Sequence, residues 1–350
     1  MVYAKPRQKA KAERGMNLKD RICNILNVLD KVSGRTITVF GDYALDKYLY
    51  INPARNEPSL ETGLTAYQVE RRNLLPGVGG TVTNNLRALG VSVHCVGLVG
   101  KDGEGFELLR ELGKIGAYTD LMVCCEKIMT NTYIKPMIGS ENKTYTEMSR
   151  LDIRNFSETP AGLEDRLLEN LEKALASSQG VVVTDQFLSG NCSALTERVR
   201  RELAGMARRF QDKIFYVDSR GFAASYRDVI IKCNRFELPP IDGDDTIQEK
   251  DAIFAGGRNL LSAGADGAYV FEGDKVTRIP AYRVRGPVDV VGAGDATNAG
   301  VIIGLSLGLD LPDAVLLGAC ISSITIQQIG VTGTATIAQI KERILQYDAD

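Results

Sequence analysis

The stretch DVVGAGDATNAG, residues 289–300, places Gly292, Gly294 and Gly300 and two carboxylates, Asp289 and Asp295, directly ahead of the apolar run VIIGLSLG. It is not a GxxxxGK[ST] phosphate loop, because no lysine follows the glycines. Nor is it a GxGxxG dinucleotide turn, because Gly300 comes too late and the stretch lies near the C-terminal end of the chain. What remains is Gly292-Ala293-Gly294 entering a helix that carries Gly300, Gly304 and Gly308 at four-residue spacing. Small residues at a helix start leave backbone N–H groups aimed at one spot, with the positive end of the helix dipole behind them. That is an anion hole. Asp295 then stands in the first turn, beside the anion it would ordinarily repel. A base that takes a proton from a hydroxyl attacking the anion fits this position. So does an acidic residue that merely favours a helix N-terminus, an effect worth about 0.3–1 kcal/mol. The residues alone leave both open.

Outward from this loop the chain alternates strand-like and helix-like runs. TITVFGDY (36–43) reads as a buried strand, GGTVTNNLRALG (79–90) as a glycine turn entering a helix, and VSVHCVGLVG (91–100) as a second strand. Helices are expected over 103–116, 161–178 and 193–210, and further strands at GVVVTD (180–185) and KIFYVD (213–218). Such alternation implies βαβ units and a parallel sheet covered by helices. The strands are continuous apolar runs, as a sheet buried on both faces requires. Two segments, 46–77 and 130–152, break the pattern with short alternating stretches rich in Tyr, Thr, Ile and Val. They predict a small sheet standing off the main body as a lid or a dimer surface. The expected division is a basic, disordered tail over 1–20 and one α/β domain over 21–350.

The composition narrows the chemistry. Of the 350 residues, 44% are hydrophobic and 25% charged, the balance of a soluble globular protein. A net charge of −2 lacks the cationic surplus that broad nucleic-acid binding needs. No apolar run approaches the roughly 18 residues of a membrane span, and the basic N-terminal stretch lacks the apolar core of a secretory signal. The seven cysteines form no CxxC pair, which favours reduced thiols and a cytoplasmic location over a disulfide frame or zinc site. The single histidine, His94, lies inside a strand-like run and reads as a structural residue. One histidine also leaves no two-histidine zinc motif and no HxGH nucleotidyl-transferase signature.

With these residues in view, DVVGAGDATNAG resembles the D-T-x-G-A-G-D-x-F-x-x-G signature of the ribokinase/PfkB family of sugar kinases. Other landmarks of that family follow in order over roughly 35–345. GDYALD (41–46) resembles the first strand, whose terminal Asp holds sugar hydroxyls, a role that falls on Asp46. GVGGTVTNN resembles the GG-x-x-x-N turn, which puts Gly79, Gly80 and Asn84 against the sugar. KCNRFE resembles N-x-x-E, with Asn234 and Glu237 near Mg²⁺ and its waters. LSAGADGAYV (261–270) resembles the nucleotide loop, with Ser262, Gly264 and Gly267, and CISSITIQQIGVTGT resembles the adenine-side helix and turn. Within the family the look is nearest to the heptose-7-phosphate kinases, through GDYALDKYLY, SRLD (149–152) and VDSRG (217–221). Departures at Leu86, Val290, Thr297, Ser219 and the stretch NEPSLETGL bear on which sugar is accepted. Many heptose kinases carry a fused adenylyl-transferase domain, which this length and single histidine do not lead one to expect.

The resemblance implies a ribokinase-like three-layer α/β sandwich with a mainly parallel sheet and a β-sheet lid. It also implies ATP-dependent phosphorylation of a sugar or sugar-phosphate hydroxyl. Asp295 would be the general base and the N–H groups of Gly292, Ala293 and Gly294 would hold the transferring phosphoryl group. ATP and Mg²⁺ are the implied cofactors, with K⁺ as a monovalent cation whose candidate residue is Asp289. A homodimer through the lid strands is the implied assembly. A nucleoside kinase on the same scaffold and a non-catalytic regulatory descendant are the alternatives.

Overall fold

The computed structural model describes residues 17–140, 143–234 and 257–347. The bound of residue 20 set for the expected tail falls inside a helix. A helix already begins at Leu18 and runs to Val28, its N-terminus capped by the Asn17 side chain accepting from the Asp20 N–H. The rest of the tail, and Glu237, lie outside the described residues.

The strands are, in chain order, β1 Thr36–Gly41, β2 Tyr43–Ile51, β3 Glu57–Pro58, β4 Thr65–Ala66, β5 Val69–Val78, β6 Ser92–Gly100, β7 Val123–Cys125 and β8 Thr132–Ser140. They continue as β9 Lys143–Glu147, β10 Leu151–Ile153, β11 Gly180–Asp185, β12 Ile214–Ser219, β13 Ile230–Asn234, β14 Arg258–Ser262, β15 Ala268–Glu272 and β16 Lys275–Ile279. The main sheet has the order β16-β15-β14-β13-β12-β11-β1-β6-β7. From β7 through β14 every pairing is parallel, and β15 and β16 close the edge as antiparallel strands. The continuous apolar runs are explained by helices on both faces. Val39, Val93 and Val182 pack on one side with Leu86, Leu108, Val301 and Leu317. Phe40, Val96 and Val183 pack on the other with Leu167, Leu171 and Leu203. Because the strands are parallel, Gly41, Asp185, Ser219, Asn234 and Ser262 all end along one edge. That is where ligands bind in open α/β sheets.

The helix that follows the glycine loop, Ala293–Ser306, lies against the helix Leu311–Thr325 with almost no space between their backbones. A β-carbon on Gly300 would stand 2.5 Å from the Gly318 Cα, and one on Gly318 would stand 2.7 Å from the Thr297 carbonyl oxygen. Gly300 and Gly304 are thus a contact stripe, whereas Gly308 lies beyond the end of the helix at φ +89°.

The two segments that broke the alternation form a second sheet of order β10-β8-β2-β5, with β9 on β8. The chain leaves the body for this sheet at Gly41 and Asp42 and returns at Val78 and Gly79. Gly41 has φ +121°, and a β-carbon there would lie 2.6 Å from the Thr184 carbonyl oxygen, so only glycine fits. Asp42 is 1% exposed. Its Oδ2 accepts the N–H groups of Gln186 (2.9 Å) and Phe187 (3.0 Å). Burial, and then the neighbouring Asp185 charge, push its carboxyl up to about 7. Asp46 is accordingly not the last residue of the first strand. That strand stops at Gly41, and Asp46 lies inside β2, in the lid.

His94 has the structural place its context suggested. Its Nε2 is 3.2 Å from Ser177 Oγ and its ring lies 5.1 Å from that of Tyr118. No disulfide joins the seven cysteines, all of which are described residues. Among the described residues no helix is long and apolar enough to cross a membrane.

Candidate active site

Gly292 adopts the left-handed conformation, φ 80° and ψ 2°, and the helix starts at Ala293 without a side-chain cap. The turn this makes directs the Ala293 N–H back to the Val290 oxygen at 3.1 Å, and the helical ladder begins with Ala296 N–H to Gly292 O at 2.9 Å. The open N–H groups between those two bonds belong to Gly294 and Asp295. Of the three expected donors, Ala293 is turned back into the loop, while the Gly292 N–H, like that of Gly294, has no backbone partner among the described residues. The Asp295 carboxylate takes no hydrogen bond from the described residues. Burial at the cleft floor, and then the charge of Asp218, push it up to about 7 against the pull of Lys232 and Arg220, while Asp46 adds to the rise.

Asp46 reaches this neighbourhood from the lid. Its half-buried carboxylate pairs with Lys135 Nζ at 2.7 Å, and the same ammonium touches the Tyr48 hydroxyl at 3.1 Å. Register explains the grouping: Asp46 pairs with Tyr133, Tyr48 with Lys135, and Asp152 with Tyr133. Directly paired residues project from the same side of a sheet. Arg150 and Arg154 flank the Tyr133 ring at 4.7 and 5.8 Å and both bind Asp152. Arg220, which follows β12, is a positive charge that acts on both Tyr133 and Asp295.

Gly79 and Gly80 open the helix Gly79–Ala88. A β-carbon on Gly79 would stand 2.8 Å from the Asp42 carbonyl oxygen, so its role here is close backbone packing at the lid junction. Asn84 is half-buried on that helix, and its amide has no hydrogen-bond partner among the described residues. Thr81, on the same helix, lies against the glycine loop: its Cγ2 would be 3.4 Å from a β-carbon on Gly292.

On the other flank Asn234 and Ser262 end β13 and β14 as partners in register. The Ser262 hydroxyl donates to the Cys233 oxygen at 3.3 Å. The turn that follows uses Gly264 at φ +60° and Gly267 at φ +91°, where a β-carbon would meet the Ile279 carbonyl oxygen. Among the described residues no group of three or more His, Cys, Asp or Glu is placed to hold a metal ion. Asp289 is engaged in structure: its oxygens accept the N–H groups of Val291 (3.1 Å) and Gly330 (3.0 Å), which closes the turn ahead of the glycines.

Three residues of this neighbourhood were not singled out from the sequence. Lys135 is an ordinary lysine in an alternating strand. Lys232 is the one cation in the buried strand IIKCN, a signal that could have been read. Gly77 carries no chemistry at all, yet its missing side chain leaves the space Asp46 occupies.

Residues 44–338 match the family described as pfkB family carbohydrate kinase. The bifunctional protein HldE of Rhodopseudomonas palustris is 27% identical over 331 residues, which is 91% of this chain and 65% of that protein. The chain thus spans about two thirds of the length of such relatives, 65% in this case. Phosphofructokinase-2 from Escherichia coli, solved in complex with fructose-6-phosphate, has a TM-score of 0.66 at 15% identity, covering 89% of this chain and 99% of its own. Arabidopsis thaliana ribokinase, complexed with ribose and ATP, has a TM-score of 0.62 at 16% identity, covering 89% and 98%. Both likenesses are of fold, and both agree with the sandwich and lid described above.

Proposed function

Since the chain belongs to the pfkB family of carbohydrate kinases, we propose that it transfers the γ-phosphoryl group of ATP to a hydroxyl of a sugar or sugar phosphate, with Asp295 as general base. The observation that carries this reading is the Asp295 carboxylate. It is free of hydrogen bonds from the described residues, sits beside open N–H groups at a helix N-terminus, and is within the field of lid residue Asp46.

A carboxyl with a pKa near 7 is matched to removing a hydroxyl proton near neutral pH, and general-base assistance of this kind contributes about 10²–10⁴ in rate. The Gly294 and Asp295 N–H groups face the charge that builds on the transferring group, and each such donor is worth about 3 kcal/mol in comparable oxyanion sites. Mg²⁺, when bound with ATP, neutralises phosphate charge. Asn234 and Glu237 would hold its waters, and Ser262, Gly264 and Gly267 would border the nucleotide. Asp46 and Asn84 would hold acceptor hydroxyls, with Gly79 and Gly80 shaping the wall between them.

The lid favours an acceptor that is already phosphorylated. Lys135, Arg150, Arg154 and Arg220 surround Tyr133 and Asp46, and the two solved neighbours include one complexed with fructose-6-phosphate. A homodimer through the lid belongs to the same reading, because Leu60, Leu64, Tyr67 and Val69 are exposed together on its outer turn. K⁺ beside the 289–291 turn would be seen as a faster rate in KCl than in choline chloride.

The test is ADP release with MgATP across hexoses, heptoses, their phosphates and nucleosides. Turnover with a sugar phosphate and none with nucleosides is the expected result. Turnover with nucleosides alone would replace the sugar reading.

A further inference from the structure

The lid is joined to the body by four stretches of chain, 41–43, 78–79, 126–131 and 154–160. Three of them meet around one small cavity, lined by Asp42 from the first, Met129 and Asn131 from the third and Asn155 from the fourth. The second is tied to the same point, because the Gly79 N–H donates to the Asp42 carbonyl oxygen at 3.0 Å. The Asn155 side chain clamps the fourth stretch to the third, accepting the Met129 N–H at 2.9 Å and donating to the Met129 oxygen at 2.8 Å. The Asn131 oxygen accepts the Leu45 N–H at 2.9 Å, which binds the third stretch to β2 just ahead of Asp46. All four connections thus share one joint.

Asp42 is the one acid among the described residues that line this cavity. Its Oδ2 is occupied by the Gln186 and Phe187 N–H groups, while its buried Oδ1 has no partner among the described residues. The Ala194 N–H, on the cavity wall, adds a weaker pull. A proton on the neutral acid therefore belongs on Oδ1. The cavity gives about 10 Å³ to the centre of a water molecule, the room of a single water. One water serves a neutral acid, but it leaves an ionised oxygen buried and short of hydration, which is costly.

The charged and titratable groups around Asp42 supply no cation to offset this. Asp185 is an acid, and Arg200 is spent on it through contacts of 3.1 and 3.3 Å. The Tyr226 hydroxyl also donates to Asp185, and the Tyr43 hydroxyl donates to the Val39 oxygen. Cys192, on the cavity wall, is a thiol.

We propose that Asp42 is a proton-dependent pin of the lid joint: the neutral acid closes the cavity on a single water, and the ionised acid draws further water in and loosens β2, the strand that carries Asp46. It acts on the lid and not on a substrate, so Asp42 is a positioning residue. This goes beyond the kinase reading and is tested without it. Linkage sets the size of the effect. The carboxyl is held near 7 in the closed joint and returns toward 3.8 once hydrated. Protonation therefore favours the closed joint, and the opening equilibrium should rise about tenfold between pH 6 and pH 8.

The experiment is hydrogen exchange of the whole chain at pH 6 and pH 8, followed by mass spectrometry, with each rate divided by its intrinsic chemical rate. Peptides spanning 42–46 and 128–132 should exchange faster than those of β12 at both pH values, the mark of a local opening. Their corrected rates should be about tenfold higher at pH 8 than at pH 6. Asp42→Asn should abolish that ratio, and Asp295→Asn, which removes the other acid held near 7, should keep it. Should Asp42→Asn not fold, Asp42→Ser takes its place, since it also carries no charge and has a hydroxyl to accept an N–H group. Equal corrected rates at both pH values in the wild-type chain would overturn the proposal. So would joint peptides that exchange only together with β12, or a tenfold ratio that survives the loss of the Asp42 carboxyl or vanishes with that of Asp295.

Discussion

The Asp46 carboxylate lies directly over Gly77: a β-carbon on Gly77 would stand 2.5 Å from Asp46 Oδ2 and 3.3 Å from its Cγ. Two neighbouring strands of the lid thus settle one side chain's position by the absence of another. Gly77→Ala should displace the Asp46 carboxylate from Lys135 and raise KM for the accepted sugar about tenfold, the equivalent of about 1.4 kcal/mol. KM for MgATP should hold within twofold, because Gly77 is remote from the nucleotide flank. An equal rise in both constants would mean that the lid as a whole had been disturbed.

Asp295→Asn keeps the shape of the helix start and removes the proposed base. The expected outcome is a kcat lower by about 10²–10⁴ with KM for MgATP little changed, read from ADP release under saturating substrates. A variant with undiminished kcat would remove Asp295 from the role of base.

The same residue sets the pH dependence. With its carboxyl held near 7, the basic form is lost as pH falls, so kcat/KM should drop about tenfold per pH unit below about 6 and level off above about 8. Asp218 is the charged neighbour that raises Asp295 most, so Asp218→Asn should move the acid limb to lower pH. A limb that stays in place would show that another group controls it.

Asp42 predicts a stability effect with a defined sign. Its carboxyl is held near 7 in the folded protein against 3.8 in the open chain, so the fold binds that proton more tightly than the unfolded state does. The stability this contributes is complete below about pH 4 and is lost as pH rises through about 7. Asp42→Asn retains an oxygen for the Gln186 and Phe187 N–H groups and carries no charge. It should leave Tm nearly unchanged at pH 3.5 and raise it at pH 8, by a stability gain of up to about 4 kcal/mol at 1.36 kcal/mol per pKa unit. Equal effects at both pH values, followed by circular dichroism, would place the cost of Asp42 elsewhere.

The outer turn of the lid offers a test of assembly. Leu60, 104% exposed, and Leu64, 71% exposed, are an apolar pair with no cover in the single chain. Leu60→Asp/Leu64→Asp should convert a dimer to a monomer in sedimentation velocity while leaving the melting curve of the body unchanged. A wild-type chain that sediments as a monomer would remove the dimer from the reading.

The parallel sheet was legible because its strands are long apolar runs at regular spacing, and the lid because its strands alternate. The glycine loop was legible from order alone: small residues, a carboxylate, then a helix. Its exact donors were not, since the direction of the Ala293 N–H depends on Gly292 being left-handed, which no residue pattern states. Asp46 was singled out but assigned to the wrong strand, because the apolar run passes through Asp42 without a visible break. Lys135 and Gly77 could not be read at all. One gains its meaning from a register partner far away in the chain, and the other from a side chain it does not have.

The glycine stripe that joins the helix of Asp295 to Leu311–Thr325 carries a consequence for how this scaffold can diverge. Gly300, Gly318 and Gly304 admit no larger residue without pushing the helices apart, and that shift would be transmitted to Asp295 within two turns. On the proposed reading the chemistry depends on a seam behind the site, whereas the choice of sugar would lie on a separate sheet that can be rewritten strand by strand. A lineage of this architecture can trade one acceptor for another cheaply. It cannot repair the seam from the front.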